Sequence, residues 1–542
     1  MKGKLKRYGS LLIALTMLIA VLAACGGNSG NKEGASSPSA SPSASDSASS
    51  PSAGGDSDKP DTSKKVELVW YLLGDPHKDT DKVIAELNKN LEKDLNTTIK
   101  LNFTTWTEWQ TKYNLMLTTG EKIDMIFAST WADYFKYAKK GSFLPLDDLL
   151  PKYAPVTWSK VPEQDWTEAK VVASGSDKAQ IFAVPATYPE YTPDGFVYRD
   201  DWRQELGLPE IKDLDSIEAY LDGVKKAKPK VTPINGKAFN EMLALFRATH
   251  QYENVGSGDG NLMVAKYSNP RDIVAYPFTP EFEAWAKKMK EWADKGYWNS
   301  DTLNSQKEAG DAIKAGNGAV YWRNAPGAGG YIVGVGQTNP DIKLGYFPFN
   351  RLYGYATPNL SVNNAMAIPK SAANPERSLM VLDKIRNDPK YFDLFVYGIE
   401  GTHYSIADDG KTLVSPPKGM TVTQDWKRYD IASWGVRVES MVREKQGSGW
   451  EGFDALLEEF KGMSKPNIFA GITLDYEPVK ANKAAVDQVF EQYGKPLMLG
   501  LVKDVDKSIA TFRDKLTKAG YEKVLEYTKT EANKYFDEKG IQ

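Results

Sequence analysis

Val66-Glu67-Leu68-Val69-Trp70-Tyr71-Leu72-Leu73 is an apolar run, partly alternating and then continuous, closed by Gly74-Asp75-Pro76. It reads as a β-strand ended by turn residues. Asp79-Thr80-Asp81 then caps a helix in which Val83, Ile84, Leu87, Leu91 and Leu95 recur at helical spacing. Residues 98–103 form a second strand, residues 109–118 a helix ended by Gly120, and Ile123-Asp124-Met125-Ile126-Phe127-Ala128 a third strand. Strand, helix, strand, helix, strand predicts a parallel, doubly wound α/β layer. Ligands of such layers bind outside the carboxyl ends of the strands. Three loop tips therefore matter: Gly74-Asp75-Pro76, Thr104-Thr105-Trp106 and Ser129-Thr130-Trp131.

Beyond this layer the chain is richer in helices. Phe282, Trp285, Met289 and Trp292 make one apolar stripe, which predicts a core-facing helix. Residues 504–527 read as a helical hairpin broken at Gly520. The full length of 542 residues is too great for one small core and implies two or more globular units.

Composition excludes several functions. There are 68 Lys+Arg against 71 Asp+Glu, a formal charge of −3, so no broad basic field exists to hold nucleic acid. A single Cys excludes an internal disulfide framework, a Cys-based zinc site and an iron–sulfur cluster. His77, His250 and His403 are scattered and form no HExxH pair, so no metal site and no cofactor is expected. Residues 327–336 are glycine-rich but lack the Lys-Ser/Thr of a phosphate loop and the spacing of a dinucleotide fingerprint. Residues 254–261 have calcium-like composition without the bidentate Glu of an EF-hand and read as a loop.

The N-terminus is an address. Residues 1–10 are basic, and residues 11–22 are apolar but too short to span a bilayer comfortably. Leu22-Ala23-Ala24-Cys25 matches the bacterial lipobox, in which the Cys is acylated and becomes the first mature residue. Residues 1–24 are thus expected to be removed as a signal peptide. Losing Lys2, Lys4, Lys6 and Arg7 with it takes the charge from −3 to −7. Residues 26–60 carry 12 Ser with repeated Ser-Pro-Ser-Ala, too little apolar area to offset chain entropy. Residues 25–63 are expected to be an acylated, disordered tether holding the body at the extracytoplasmic face of the membrane.

Several segments carry a family resemblance. Gly120-Glu121-Lys122-Ile123-Asp124-Met125-Ile126-Phe127, followed by Gly141-Ser142-Phe143-Leu144-Pro145-Leu146, resembles the bacterial extracellular solute-binding proteins of family 1, the sugar-type receptors of ABC importers. Ile181-Phe182-Ala183-Val184-Pro185 is similar to that family's segment leading into the first crossover between lobes. Phe196-Val197-Tyr198-Arg199-Asp200-Asp201-Trp202 is similar to the opening of its second lobe, and Ala365-Met366-Ala367-Ile368-Pro369-Lys370 to its return segment. Tyr397-Gly398-Ile399-Glu400-Gly401-Thr402-His403-Tyr404, Asp475-Tyr476-Glu477-Pro478 and Lys518-Ala519-Gly520-Tyr521 resemble a LipO-like lipoprotein subgroup. Trp434-Gly435-Val436-Arg437 departs from the Trp-Gly-Asn run expected there.

The resemblance implies a two-lobe α/β fold of the periplasmic-binding-protein type, each lobe a mostly parallel sheet flanked by helices and joined by a hinge. It places lobe 1 at residues 64–186 and 361–410, and lobe 2 at residues 187–360 and 411–542 with a C-terminal helical region. It implies a monomer that traps an oligosaccharide between closing lobes and passes it, unchanged, to permease subunits in the membrane.

Sugars present apolar C–H faces and hydroxyl edges, which aromatic rings and planar polar groups complement. Trp131 follows a predicted strand with Ser129 and Asp133 beside it, and Trp106 follows another with Glu108. Tyr188 and Tyr191 occupy the predicted crossover Thr187-Tyr188-Pro189-Glu190-Tyr191, and Trp322 and Arg323 end the strand begun by Ala319-Val320. These residues, with Trp434 and Glu400, are the candidate ligand contacts. Arg323 and Arg437 suit an acidic sugar, and equally hydroxyls or structural carboxylates. A peptide receptor of the same architecture uses similar aromatics. A glycosidase needs a carboxylate pair, for which Asp475 with Glu477 or Glu439 with Glu400 qualify only by composition.

Overall fold

The computed structural model of the protein describes residues 61–256, 262–420, 428–443, 445–446 and 452–542. The expected signal peptide, Cys25, the Ser-rich stretch and most of the calcium-like loop lie outside the described residues.

The opening apolar run forms β1 (Val66–Leu73). It leads into α1 (Thr80–Leu95), whose Val83, Ile84, Leu87 and Leu91 are buried against the sheet. β2 (Thr97–Thr104), α2 (Trp109–Thr119) and β3 (Met125–Ala128) follow. β1 runs parallel to both β2 and β3, because each helix carries the chain back to start the next strand at the same edge. The Asp79 side chain does not cap α1. Its carboxylate turns instead to His403, 3.2 Å away.

From β4 (Ala183–Pro185) the chain leaves this sheet and enters β5 (Asp194–Arg199) in a second core. There α3 (Phe239–Thr249) and α4 (Pro280–Asp294) pack through Phe246, Phe282, Trp285, Met289 and Trp292, all buried. The apolar stripe thus faces the core as its spacing predicts. β6 (Val320–Asn324), α5 (Ala325–Thr338) and β7 (Leu344–Pro348) complete the second sheet. The glycine-rich stretch is therefore helix, not a phosphate loop.

This second sheet departs from expectation. β5 is central and antiparallel to both β6 and β7. More than a hundred residues separate β5 from β6, so no single crossover helix forces the parallel direction.

The chain then returns to the first sheet through β8 (Ala365–Ala367), which inserts antiparallel between β3 and β4. α6 (Pro375–Asn387) follows and packs against β1. The buried Arg377 of α6 donates to the Asp61 carbonyl (2.7 Å), the Leu95 carbonyl (2.8 Å) and Thr97 Oγ1 (2.9 Å), clasping the first described residues to the sheet edge. Leu413, Tyr429, Ile431 and Val436 also belong to the first core. The chain therefore stays with that core past residue 410, where the sequence suggested a change of lobe.

The end of the chain, α7 (Val505–Lys518) and α8 (Tyr521–Glu538), packs Phe512, Leu516, Val524 and Phe536 into the second core. Gly500 precedes this hairpin at φ 61°, and a Cβ there would stand 2.2 Å from the Met289 carbonyl oxygen of α4. Only glycine permits that approach.

Candidate ligand-binding site

Because β1, β2 and β3 are parallel, their carboxyl ends share one edge of the first sheet. Trp106 leaves β2 and Trp131 leaves β3 at that edge. Their side chains are 49% and 40% exposed, and their rings lie 5.9 Å apart at 24°, nearly parallel. Trp434, from the short 3₁₀ turn Trp434–Val436, comes within 5.8 Å of Trp106. Trp109 and Phe127 support Trp131 from below at 6.0 and 5.7 Å. Leaving large indole faces in water is unfavourable, so an open stack of this kind presents a ready apolar surface to a flat partner.

Hydrogen bonds fix Trp131. Ser129, fully buried, accepts from the Trp131 N–H (3.3 Å) and donates to the Asn363 carbonyl (2.6 Å). Thr130 Oγ1 donates to Asn363 Oδ1 (3.0 Å). Asn364 and Asn363 in turn donate side-chain N–H bonds to Glu190 Oε2, at 2.8 and 3.4 Å. The other oxygen of Glu190 lies 3.8 Å from Arg437 Nη1. A chain of contacts thus runs from the indole platform into the crossovers between the two cores. The crossover segments also pair with each other: Thr187 N–H donates to the Arg437 carbonyl (3.1 Å) and Glu439 N–H to the Thr187 carbonyl (3.3 Å).

Tyr188 is half-buried in the same place. Burial raises its phenol pKa, with Arg437, Glu190, Glu439 and Lys461 as its charged neighbours. Arg437 and Tyr188 also line a cavity of about 60 Å³ with Tyr397, Tyr404, Tyr429 and His403. That space suits water and not a sugar ring.

Among the described residues, His77, Asp79 and His403 bring candidate metal-ligand atoms within 4.8 Å of one another. Hydrogen bonds already use them. Ile399 N–H donates to His403 Nδ1 (2.9 Å), which leaves the neutral ring's proton on Nε2, facing Asp79 Oδ2. His77 Nδ1 accepts from the Asp79 N–H (3.1 Å). The donor set fits a hydrogen-bonded brace across the first core better than a cation, which needs a bare ring nitrogen from each His.

The remaining candidates scatter. Asp133 pairs locally with Lys136 (2.9 Å). Arg323 is exposed and lies over the Tyr321 ring at 5.3 Å. Trp322 packs half-buried against the second core, its Nε1 enclosed and without a hydrogen-bond partner among the described residues. Glu400 is exposed in a turn that bridges to Tyr404. Tyr191 is only 8% exposed; its ring meets Phe460 and its hydroxyl Ser464 Oγ (3.0 Å), so it fills a small core rather than facing a ligand. Sequence reasoning missed the role of Glu190 and Asn363. The one available signal was a carboxylate standing between two tyrosines in the crossover.

Residues 74–380 match the sequence profile of the bacterial extracellular solute-binding proteins. The chain belongs to that family. Solute binding, not catalysis, is the activity the family defines. In this solute-binding protein, residues 468–537, which include α7 and most of α8, match a second profile, a domain of unknown function named DUF3502. A carbohydrate ABC transporter substrate-binding protein of Streptococcus pneumoniae is 21% identical over 544 residues, covering 98% of each chain. Lipoprotein LipO of Bacillus subtilis is 22% identical over 369 residues, 64% of this chain and 69% of LipO. Among solved structures, the N-glycan transport solute-binding protein NgtS of S. pneumoniae superposes with a TM-score of 0.70 at 18% identity, covering 88% of this chain and all of NgtS. That likeness shows a shared solute-binding fold.

Proposed function

We propose that this solute-binding protein is an oligosaccharide receptor of an ABC importer, anchored through Cys25 to the extracytoplasmic face of the membrane. The observation that carries the reading is the open stack of Trp106 and Trp131 at the carboxyl ends of parallel strands, held by Ser129 and Asn363. A sugar ring lays its C–H face on such indoles while its hydroxyls reach the polar crossover. The carbohydrate and N-glycan transport for which the S. pneumoniae relative and NgtS are named supports the same class. A solute that touches both lobes only when they approach shifts the population toward the closed form, which the permease then meets.

The test is titration of the full chain with a panel of oligosaccharides, read by tryptophan emission and calorimetry. The expected result is a saturable emission change with heat and no new product. A broad panel giving neither signal overturns the reading. Anchoring is checked separately: Cys25→Ala abolishes incorporation of radiolabelled palmitate and releases the protein into the medium.

A further inference from the structure

We infer that the Glu190–Arg437 pair reads a hydroxyl of an uncharged sugar, so that the receptor selects neutral oligosaccharides over uronates. This rests on the oligosaccharide reading and narrows it. Arg437 Nη1 and Glu190 Oε1 are 3.8 Å apart, too far for a direct hydrogen bond and close enough for one oxygen to bridge them. An oxygen about 2.8 Å from each atom spans that gap. The bridging group must accept from the guanidinium and donate to the carboxylate at once. A sugar hydroxyl does both; a carboxylate only accepts, and even where a uronate's hydroxyl bridges the pair, its carboxylate on the same ring sets a second negative charge close to Glu190.

Both members of the pair are held ready. Glu190 Oε2 is fixed by Asn364 and Asn363, which leaves Oε1 toward Arg437. Arg437 is fixed through its backbone, paired to Thr187, three residues from Trp434 of the platform. The Arg437 side chain is 26% exposed and that of Glu190 18%, enough to meet a solute and too little for water to screen the pair fully.

The surrounding charges are balanced. Arg437 and Lys461 offset Glu190 and Glu439 around Tyr188. At the platform, Glu108 pairs with Lys112 (2.6 Å) and Asp133 with Lys136 (2.9 Å). Among these described groups no net positive charge remains to attract a polyanion.

Calorimetry on the full chain tests this with matched tetrasaccharides: those of glucose, mannose and galactose against tetragalacturonate and tetramannuronate. The expected result is at least one neutral glycan binding tenfold or more tightly than every uronate, with a Kd unchanged between 20 and 500 mM NaCl, as roughly balanced charges require. Arg437→Gln and Glu190→Gln each weaken that glycan about tenfold. Uronates that bind as tightly as any neutral glycan, or a Kd that rises steeply with salt, overturn the inference while leaving the oligosaccharide reading standing. Silence from every glycan, neutral and acidic, instead removes the oligosaccharide reading and this inference with it.

Discussion

The two cores use tryptophan in opposite ways. In the second, Trp285 and Trp292 are 2% and 0% exposed, and the Trp285 Nε1 has no hydrogen-bond partner among the described residues. At the edge of the first, Trp106 and Trp131 keep 40% or more of their surface in water. The same side chain thus serves packing in one place and presentation in the other. What separates them is position: the buried pair lies on the inner stripe of α4, while the open pair follows the ends of β2 and β3, where the Trp434 turn touches Trp106 yet leaves both indoles 40% or more exposed.

The largest expected contrast is in stability. Trp292→Ala empties a closed site and is expected to cost about 3–5 kcal/mol, read as a lower urea midpoint. Trp131→Ala removes a side chain already half in solvent and is expected to cost under about 1 kcal/mol. Equal losses from the two variants would break the comparison.

A second effect marks the second core as dry. Glu241 of α3 is 6% exposed with Oε2 unpartnered among the described residues, and burial pushes its carboxyl from 4.5 up to about 7. Above pH 4.5 the unfolded chain releases this proton while the folded one keeps it, so stability falls as pH rises toward 7. The loss is on the order of 3 kcal/mol. Glu241→Gln is expected to flatten that slope in unfolding measured from pH 4 to 8; an unchanged slope would place the carboxyl in a wetter site.

The third effect sharpens the other side of the contrast. Trp131→Ala is expected to weaken glycan binding by about 2 kcal/mol, some thirtyfold in Kd by calorimetry. The smallest is Ser129→Ala. It deletes the bond to the Asn363 carbonyl and is expected to cost about 1 kcal/mol in stability, with a several-fold loss of affinity as the Trp131 turn loosens.

The sequence was most readable where neighbours in the chain are neighbours in space. β1, α1, β2, α2 and β3 follow one another through short turns, so their apolar periodicity suffices, and the loop tips carrying Trp106 and Trp131 come with them. The antiparallel second sheet was not readable, since β5 meets β6 and β7 only after long helical excursions. Nor was the fate of Tyr191, whose partners Phe460 and Ser464 lie some 270 residues away. The Asn363–Glu190–Arg437 contacts join three separate crossover segments, and no local pattern announces them. Asp79 illustrates the reverse: a plausible helix cap by local rules, claimed instead by His403 from the far end of the first core.

The Arg377 clasp also bears on force. Any pull reaching Asp61 along the chain meets a guanidinium that grips that residue's carbonyl and is rooted in α6. The load is then shared with Leu95 and Thr97 at the margin of the sheet, rather than peeling β1 away one rung at a time. A strain applied outside the folded body would thereby be halted before it disturbed the geometry of the indoles.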